Sequence, residues 1–396
     1  MNHVVEQEPN QVPGGPIRQI ADSPRVLHVV APSRFGGAET VILQLAAGHR
    51  ARGADVRICC LLGSDRTHPF PGRARQEGLE VFEIQSQPRA YLQEVRRLVE
   101  VTTEYAPQVL HSHGYHSDLV AWRAARRLGA GLLSTVHGFT GGDFKNRVYE
   151  SFDRWMLRRF DRVVAVSEAG ALGLRRSGLR SARLHVILNA FRPIGALPRR
   201  AAREALGLEP DGIVIGWVGR FTTVKGPDLF VQAIAGLPPG GWSAVMVGDG
   251  PERVPCEGQA RAAGLPAAKL RFSGARADAG RLMKAFDILV LSSRSEGVPM
   301  VLLEAVDAGT PVVARAVGGI PEVLPRGCGW LVAPDEPLGL IQALSTALTD
   351  PEETARRAAS ARDVVLGALD FDRWLQAYAE IYRSLQAHRA QAGTGK

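Results

Sequence analysis

Two carboxylates, Glu296 and Glu304, with seven residues between them, bracket what reads as the start of a helix. Ahead of them the apolar run 288–291 has the composition of a parallel strand buried on both faces. The run ends at Ser292 and Ser293, a loop carries Glu296 and Gly297, and a helix is expected to open near Pro299, a residue suited to a first helical position. A helix start leaves backbone N–H groups free for anions, and ligands of open α/β sheets sit at the carboxyl ends of strands. The segment therefore sets a phosphate-friendly helix end beside two acceptors for hydroxyl groups. That chemistry suits a sugar nucleotide.

A second set of residues complements it. The strand expected at 213–218 ends in Gly219-Arg220-Phe221, and Lys225-Gly226 opens the next helix, so both cations fall where a diphosphate could be held. Gly248-Asp249-Gly250-Pro251 follows another strand, but Arg253 stands where G-x-G-x-x-G needs its last glycine. A nicotinamide enzyme is not supported, and a plain turn explains the segment as well as a ligand loop does. In the first half, a strand at 26–30 runs into Ser33-Arg34-Phe35-Gly36-Gly37-Ala38-Glu39, where Gly36 and Gly37 allow a diphosphate close to the backbone. The Lys-Ser/Thr of a P-loop is missing, so ATP hydrolysis is not implied. His137, after a strand at 132–136, reads as an imidazole aimed into the same cleft and able to bond a sugar hydroxyl. His111, His113, His116 and Asp118 could in principle ligate a metal; the competing reading is a strand end and polar cleft lining, and no metal is expected.

The elements that must hold these residues follow from periodicity. Short apolar runs alternate with helix-period segments, the pattern of parallel sheets covered by helices on both faces. Strands are expected at 26–30, 56–62, 81–84, 109–111, 132–136, 163–166 and 185–188, then at 213–218, 244–247, 270–272, 288–291, 312–313 and 330–332. Helices fill the gaps, among them 38–50, 90–104 and 145–159. The division is a flexible leader at 1–24, a first Rossmann-like domain at 25–192, a linker at 193–205 and a second domain at 206–370. A terminal helix at 371–387 is able to pack back on the first domain. The fold class is α/β, with two doubly wound domains facing a central cleft. In the segment 145–159, Val148, Phe152, Trp155 and Met156 recur at helical spacing and are expected to face the core, while Lys145, Arg147, Arg154, Arg158 and Arg159 are basic.

With 396 residues and 45% hydrophobic content, the chain can bury two cores. Cys59, Cys60, Cys256 and Cys328 show no C-x-x-C spacing, which argues against zinc and for a reducing, cytoplasmic home. No run reaches the roughly 18 apolar residues of a membrane span. The net charge of +8 lies wholly in the first 195 residues, which hold 26 Lys+Arg against 18 Asp+Glu. That surplus points to an anionic membrane surface rather than nucleic acid, since aromatic–basic interleaving is missing.

Taken in order and spacing, these residues resemble the retaining family 4 glycosyltransferases of GT-B fold. The resemblance runs from roughly Arg25 to Leu385 and rests on Gly36-Gly37-Ala38-Glu39, His137-Gly138, Ala165-Val166-Ser167-Glu168, Gly219-Arg220 with Lys225-Gly226, Glu296 with Glu304, and Gly318-Gly319-Ile320-Pro321-Glu322. It implies that Arg220 and Lys225 hold the donor pyrophosphate, and that Glu296 with the N–H groups of Gly297, Val298, Pro299 and Met300 grips the sugar. Of these four, Pro299 has no N–H to give. Glu304 would bind the ribose, Gly37 would approach the diphosphate, and His137 would touch the sugar. Transfer would go from a nucleotide-diphosphate sugar to a glycan or lipid-linked acceptor, with no metal or other cofactor, on the inner face of a membrane. The family's frequent Asn-Gly-Val-Asp is here Asn189-Ala190-Phe191-Arg192, which bears on the hinge. The other readings are a sugar-nucleotide 2-epimerase of the same fold, a non-catalytic sugar-nucleotide-binding protein, and a metal-dependent hydrolase built on His111 and His113.

Overall fold

The computed structural model describes residues 23–32, 36–65, 67–138, 144–336 and 338–393, with residues 144–148 and 388–393 described by backbone alone. Residues 1–22 of the expected leader, and Ser33, Arg34 and Phe35, lie outside them.

Thirteen strands are present among the described residues. In chain order they are β1 (Val26–Val30), β2 (Val56–Gly63), β3 (Glu80–Gln85), β4 (Val109–His113), β5 (Gly131–Val136), β6 (Arg162–Ala165), β7 (Leu184–Val186), β8 (Ile213–Val218), β9 (Trp242–Val247), β10 (Leu270–Gly274), β11 (Ile288–Leu291), β12 (Val312–Arg315) and β13 (Trp330–Val332). Two all-parallel sheets result, ordered β3-β2-β1-β4-β5-β6-β7 and β10-β9-β8-β11-β12-β13. Strand order reverses between β1 and β4 and between β8 and β11, and at such points adjacent loops diverge to leave a crevice for a ligand. The central strands β1, β4 and β11 are buried along their whole length, as strands covered by helices on both faces must be.

Residues 193–205 are not all linker. Arg199–Ala205 is a helix, and the Arg203 guanidinium, fully buried, donates to the carbonyls of Ala285, Pro210 and Gly212 and to Asp287. Asp287 also accepts from Arg199, so this helix is tied to the second domain by charge-assisted bonds that its Arg-rich sequence did not announce. In the hinge segment, Ala190 and Phe191 are buried and Arg192 is exposed.

The last helix, Phe371–Gly393, lies on the first sheet. His49 bonds the Leu375 carbonyl at 3.0 Å, and Tyr382 and Tyr378 reach His111 and Thr135 at 2.8 and 3.2 Å. Trp374, Leu375, Tyr378, Tyr382 and Leu385 are buried there. The helix Phe144–Leu157 departs from its expected inward stripe: Met156 and Leu157 are buried, but Phe152 and Trp155 are 43% and 42% exposed. No helix among the described residues is long and apolar enough to cross a membrane.

Candidate donor site

The carboxyl ends of β8, β9 and β11 build one wall of a cavity of about 910 Å³. After β8, Gly219 and Arg220 lead into a turn, Thr223–Lys225, and then the helix Pro227–Ala235. After β9 comes the loop 248–251. Both of its glycines are required, because a Cβ at Gly248 would lie 1.8 Å from the Gly219 oxygen and one at Gly250 2.4 Å from the Phe221 oxygen. Backbone bonds Phe221 N–H to Asp249 O and Glu252 N–H to Phe221 O lock the two loops together. The glycines thus serve close loop packing and hold the Arg220 segment in place, while Gly248 and Asp249 also line the cavity.

After β11, Ser292 anchors the neighbouring loop by accepting from Trp217 Nε1 and donating to the Gly226 carbonyl. The helix that follows begins at Met300, with Pro299 in extended backbone just before it rather than in the first helical turn. Gly297, Val298, Pro299 and Met300 all line the cavity.

Of the sequence-selected residues, Arg220, Lys225, Glu296, Glu304, Gly36, Gly37 and His137 all line this one cavity. Lys225 Nζ donates to both Glu296 oxygens, at 2.6 and 2.8 Å, and Ser293 Oγ donates to Oε1 at 2.6 Å. The two residues assigned to different parts of a ligand are therefore an ion pair, which spacing alone did not reveal. Arg220 is exposed, and its charge acts on Glu39 of the first domain, a carboxyl that burial pushes upward and that backbone N–H groups and Arg220 pull back. Burial raises the Glu304 carboxyl to about 7.

The facing wall belongs to the first domain. Here the His137-Gly138 backbone meets the Glu296-Gly297 backbone so closely that a Cβ on Gly297 would lie 2.4 Å from the His137 oxygen. Asn189 Nδ2 donates to the Val298 carbonyl at 3.4 Å, and Glu322 reaches back to accept from Glu168 and Ala169 N–H at 2.8 and 3.0 Å. Asn189, Arg73, Arg276 and Gly280 are cavity residues that spacing did not single out. Gly280 matters for Glu304, whose carboxyl would lie 2.7 Å from a Cβ placed there.

The four candidate metal ligands are taken apart. His116 pairs with Glu94 at 2.7 Å, and Asp118 accepts from Ser112 on the opposite sheet face. His111 and His113 instead join His28 of β1, with ligand nitrogens within 4.8 Å of one another. His111 spends both nitrogens on Tyr382 and Thr135, and His28 bonds His113. His28 was missed because a lone histidine inside a strand carries no spacing signal; its partnership needs the β1–β4 register.

Comparison with known proteins places this geometry. Residues 36–190 match a glycosyl transferase 4-like domain, and residues 198–364 match glycosyl transferases group 1. D-inositol 3-phosphate glycosyltransferase of Xylanimonas cellulosilytica is 31% identical over 376 residues, spanning 83% of this chain and 87% of that protein. The Mycobacterium marinum protein of the same name is 29% identical over 339 residues, 75% and 70% of the respective chains. Among solved structures, Anabaena HepE in complex with UDP-glucose superposes with a TM-score of 0.81 at 25% identity, over 91% of this chain and 99% of that one. Sucrose-phosphate synthase of Thermosynechococcus elongatus shares the fold, with a TM-score of 0.78 at 21% identity over 92% and 99%. The chain belongs to the family 4-type glycosyltransferases and has their GT-B fold.

Proposed function

We propose that the protein is a retaining glycosyltransferase that moves a sugar from a nucleotide-diphosphate donor to a hydroxyl of a glycan or lipid-linked acceptor, in surface polysaccharide or glycolipid assembly. The observation that carries the donor half is the joint presence of Arg220, the Lys225–Glu296 pair and half-buried Glu304 in one cavity. Arg220 and Lys225 take the diphosphate and offset the charge that grows on it as the glycosidic bond breaks. Glu296, released from Lys225, accepts from sugar hydroxyls, Glu304 accepts from the ribose, and Gly36 and Gly37 let the diphosphate approach the first domain. The acceptor hydroxyl attacks the face the diphosphate leaves, passing its proton to that phosphate. No metal ion is required, because the two side-chain cations do the neutralising. UDP-glucose, bound by the Anabaena relative, is the first donor to test, and D-inositol 3-phosphate is one acceptor to set beside glycans and lipid-linked sugars.

The test is a donor panel scored for hydrolysis and transfer, run with chelator present. One donor is expected to turn over, and Glu296→Ala and Lys225→Ala each to lose about 100-fold or more. Parent-like variants, or an epimerised free nucleotide sugar, would refute the reading. A peripheral, cytoplasmic station on anionic lipid is supported by exposed Phe152 and Trp155, with the Arg159 guanidinium 3.5 Å from the Trp155 ring centroid. Sedimentation with vesicles containing anionic lipid is expected to carry the parent down and leave Trp155→Ser/Phe152→Ser in solution. Equal sedimentation would remove that station.

A further inference from the structure

Behind His137 stands a row of imidazoles that the donor-site reading does not use. His28, His111 and His113 share one face of the first sheet with Thr135, and His137 follows two residues on from Thr135. His137 Nε2 lies 3.1 Å from His113 Nδ1, and His113 Nε2 lies 3.0 Å from His28 Nδ1. The two end atoms, His137 Nδ1 and His28 Nε2, are buried and have no hydrogen-bond partner among the described residues. Burial keeps all three rings neutral, lowering His28 to about 3, His137 to about 4 and His113 well below its ordinary value.

A neutral imidazole has one N–H and one bare nitrogen. Both bonds in the row can therefore be made in only two ways, and each way fixes all three tautomers together. If the row donates from His137 inward, a permanently unpaired N–H is left on His28 in the sheet interior. If it donates from His28 outward, the bare nitrogen stays inside and the unpaired N–H moves to His137 Nδ1, an atom covered in this structure on a half-buried ring that lines the cavity, so that a shift of the adjoining cavity wall brings it to a ligand. Orphaned buried N–H groups are the rarer defect, and a bound ligand can satisfy this one.

We propose that His113 and His28 are positioning residues that fix the tautomer of His137, so that its Nδ1–H is presented as a hydrogen-bond donor to a hydroxyl oxygen of the donor sugar. This rests on the reading of the cavity as a sugar-nucleotide site. The row also explains why His113 is a histidine rather than an apolar residue in a fully covered strand: it must donate at one nitrogen and accept at the other.

The test is histidine ¹⁵N NMR on the full chain together with donor kinetics. The parent and His113→Asn, whose amide can still donate to His137 Nε2, are expected to show His137 protonated at Nδ1. In His113→Leu the Nε2-protonated form is expected to appear, with kcat/KM falling about 10- to 100-fold, and His113→Asn is expected to recover most of that loss. Should the leucine variant fail to fold, His113→Gln keeps the His28 contact, gives up the His137 contact and reports the same change. A His137 tautomer unmoved by these substitutions, or a His113→Asn variant as impaired as His113→Leu at equal thermal stability, overturns the proposal. His137→Ala separates the two layers. Unaffected turnover overturns the placement of the sugar on His137, whereas reduced turnover with an unmoved tautomer overturns the relay alone.

Discussion

Glu304 is the side chain whose surroundings say most about how the donor is held. Its carboxyl is raised to about 7 by burial, and no charged group among the described residues brings it back down. A carboxylate accepts two ribose hydroxyls, whereas the protonated acid keeps one oxygen occupied as a donor. Donor binding is thus expected to strengthen as pH rises through about 7 and to weaken below it. Glu304→Gln should bind weakly at every pH and lose that dependence. Isothermal titration with the nucleoside diphosphate of whichever donor turns over, between pH 5.5 and 8.5, reads both, and a flat parent profile would exclude Glu304 as the ribose acceptor. At this scale the sequence exposed residues whose position relative to a strand end has a general meaning: Arg220, Lys225, Glu296, Glu304 and His137. Pairings across the fold stayed hidden, such as Lys225 with Glu296 or His28 with His113, because they depend on which loops and strands become neighbours.

Elements were legible wherever one strong signal dominated. Every expected strand is present, with ends shifted by at most two residues, since runs such as Ile288–Leu291 or Val26–Val30 are rich in β-branched residues and too short for a buried helix. The misreadings fall where periodicity competes with charge. Helix Arg199–Ala205 looked like linker because its stabilising contacts are made by arginines, and helix Phe144–Leu157 turns two aromatic residues outward. That second helix is tied down from inside by a different contact. Asp153 on it and Asp118 on the helix Tyr115–Leu128 are buried together; burial first, and their mutual repulsion second, push Asp118 far above the usual range, and burial raises Asp153 to about 6. A carboxyl raised in the folded state adds stability that is complete below its unfolded value near 4 and is lost as pH climbs through about 6. Asp153→Asn cannot ionise, so its melting temperature relative to the parent is expected to be higher at pH 8 than at pH 5. An equal offset at both pH values, by scanning calorimetry, would mean the pair is not strained by charge.

The whole molecule closes over its cavity by contacts that few single residues announce. Gly318-Gly319-Ile320-Pro321-Glu322 was one marker of family resemblance, and its geometry gives it a mechanical role. Gly319 N–H bonds the Gly297 carbonyl at 2.9 Å, which ties the segment to the loop carrying Glu296. Three residues on, Glu322 crosses to the first domain and caps the helix Glu168–Arg176, taking its first two N–H groups, while Ser167 Oγ accepts from the third. A carboxylate at a helix N-terminus is worth about 1 kcal/mol, and here that energy exists only while the domains are closed. Removing it is expected to lower the closed-to-open ratio about fivefold. Glu322→Ala should therefore show a larger radius of gyration by X-ray scattering without ligand, and a weaker apparent donor affinity, with Ser167→Ala as a control that weakens the same helix end but keeps the Cβ that faces Gly319 of the other domain. If Glu322→Ala scatters as the parent does, the cap is local and closure is set by the His137–Gly297 backbone contact instead.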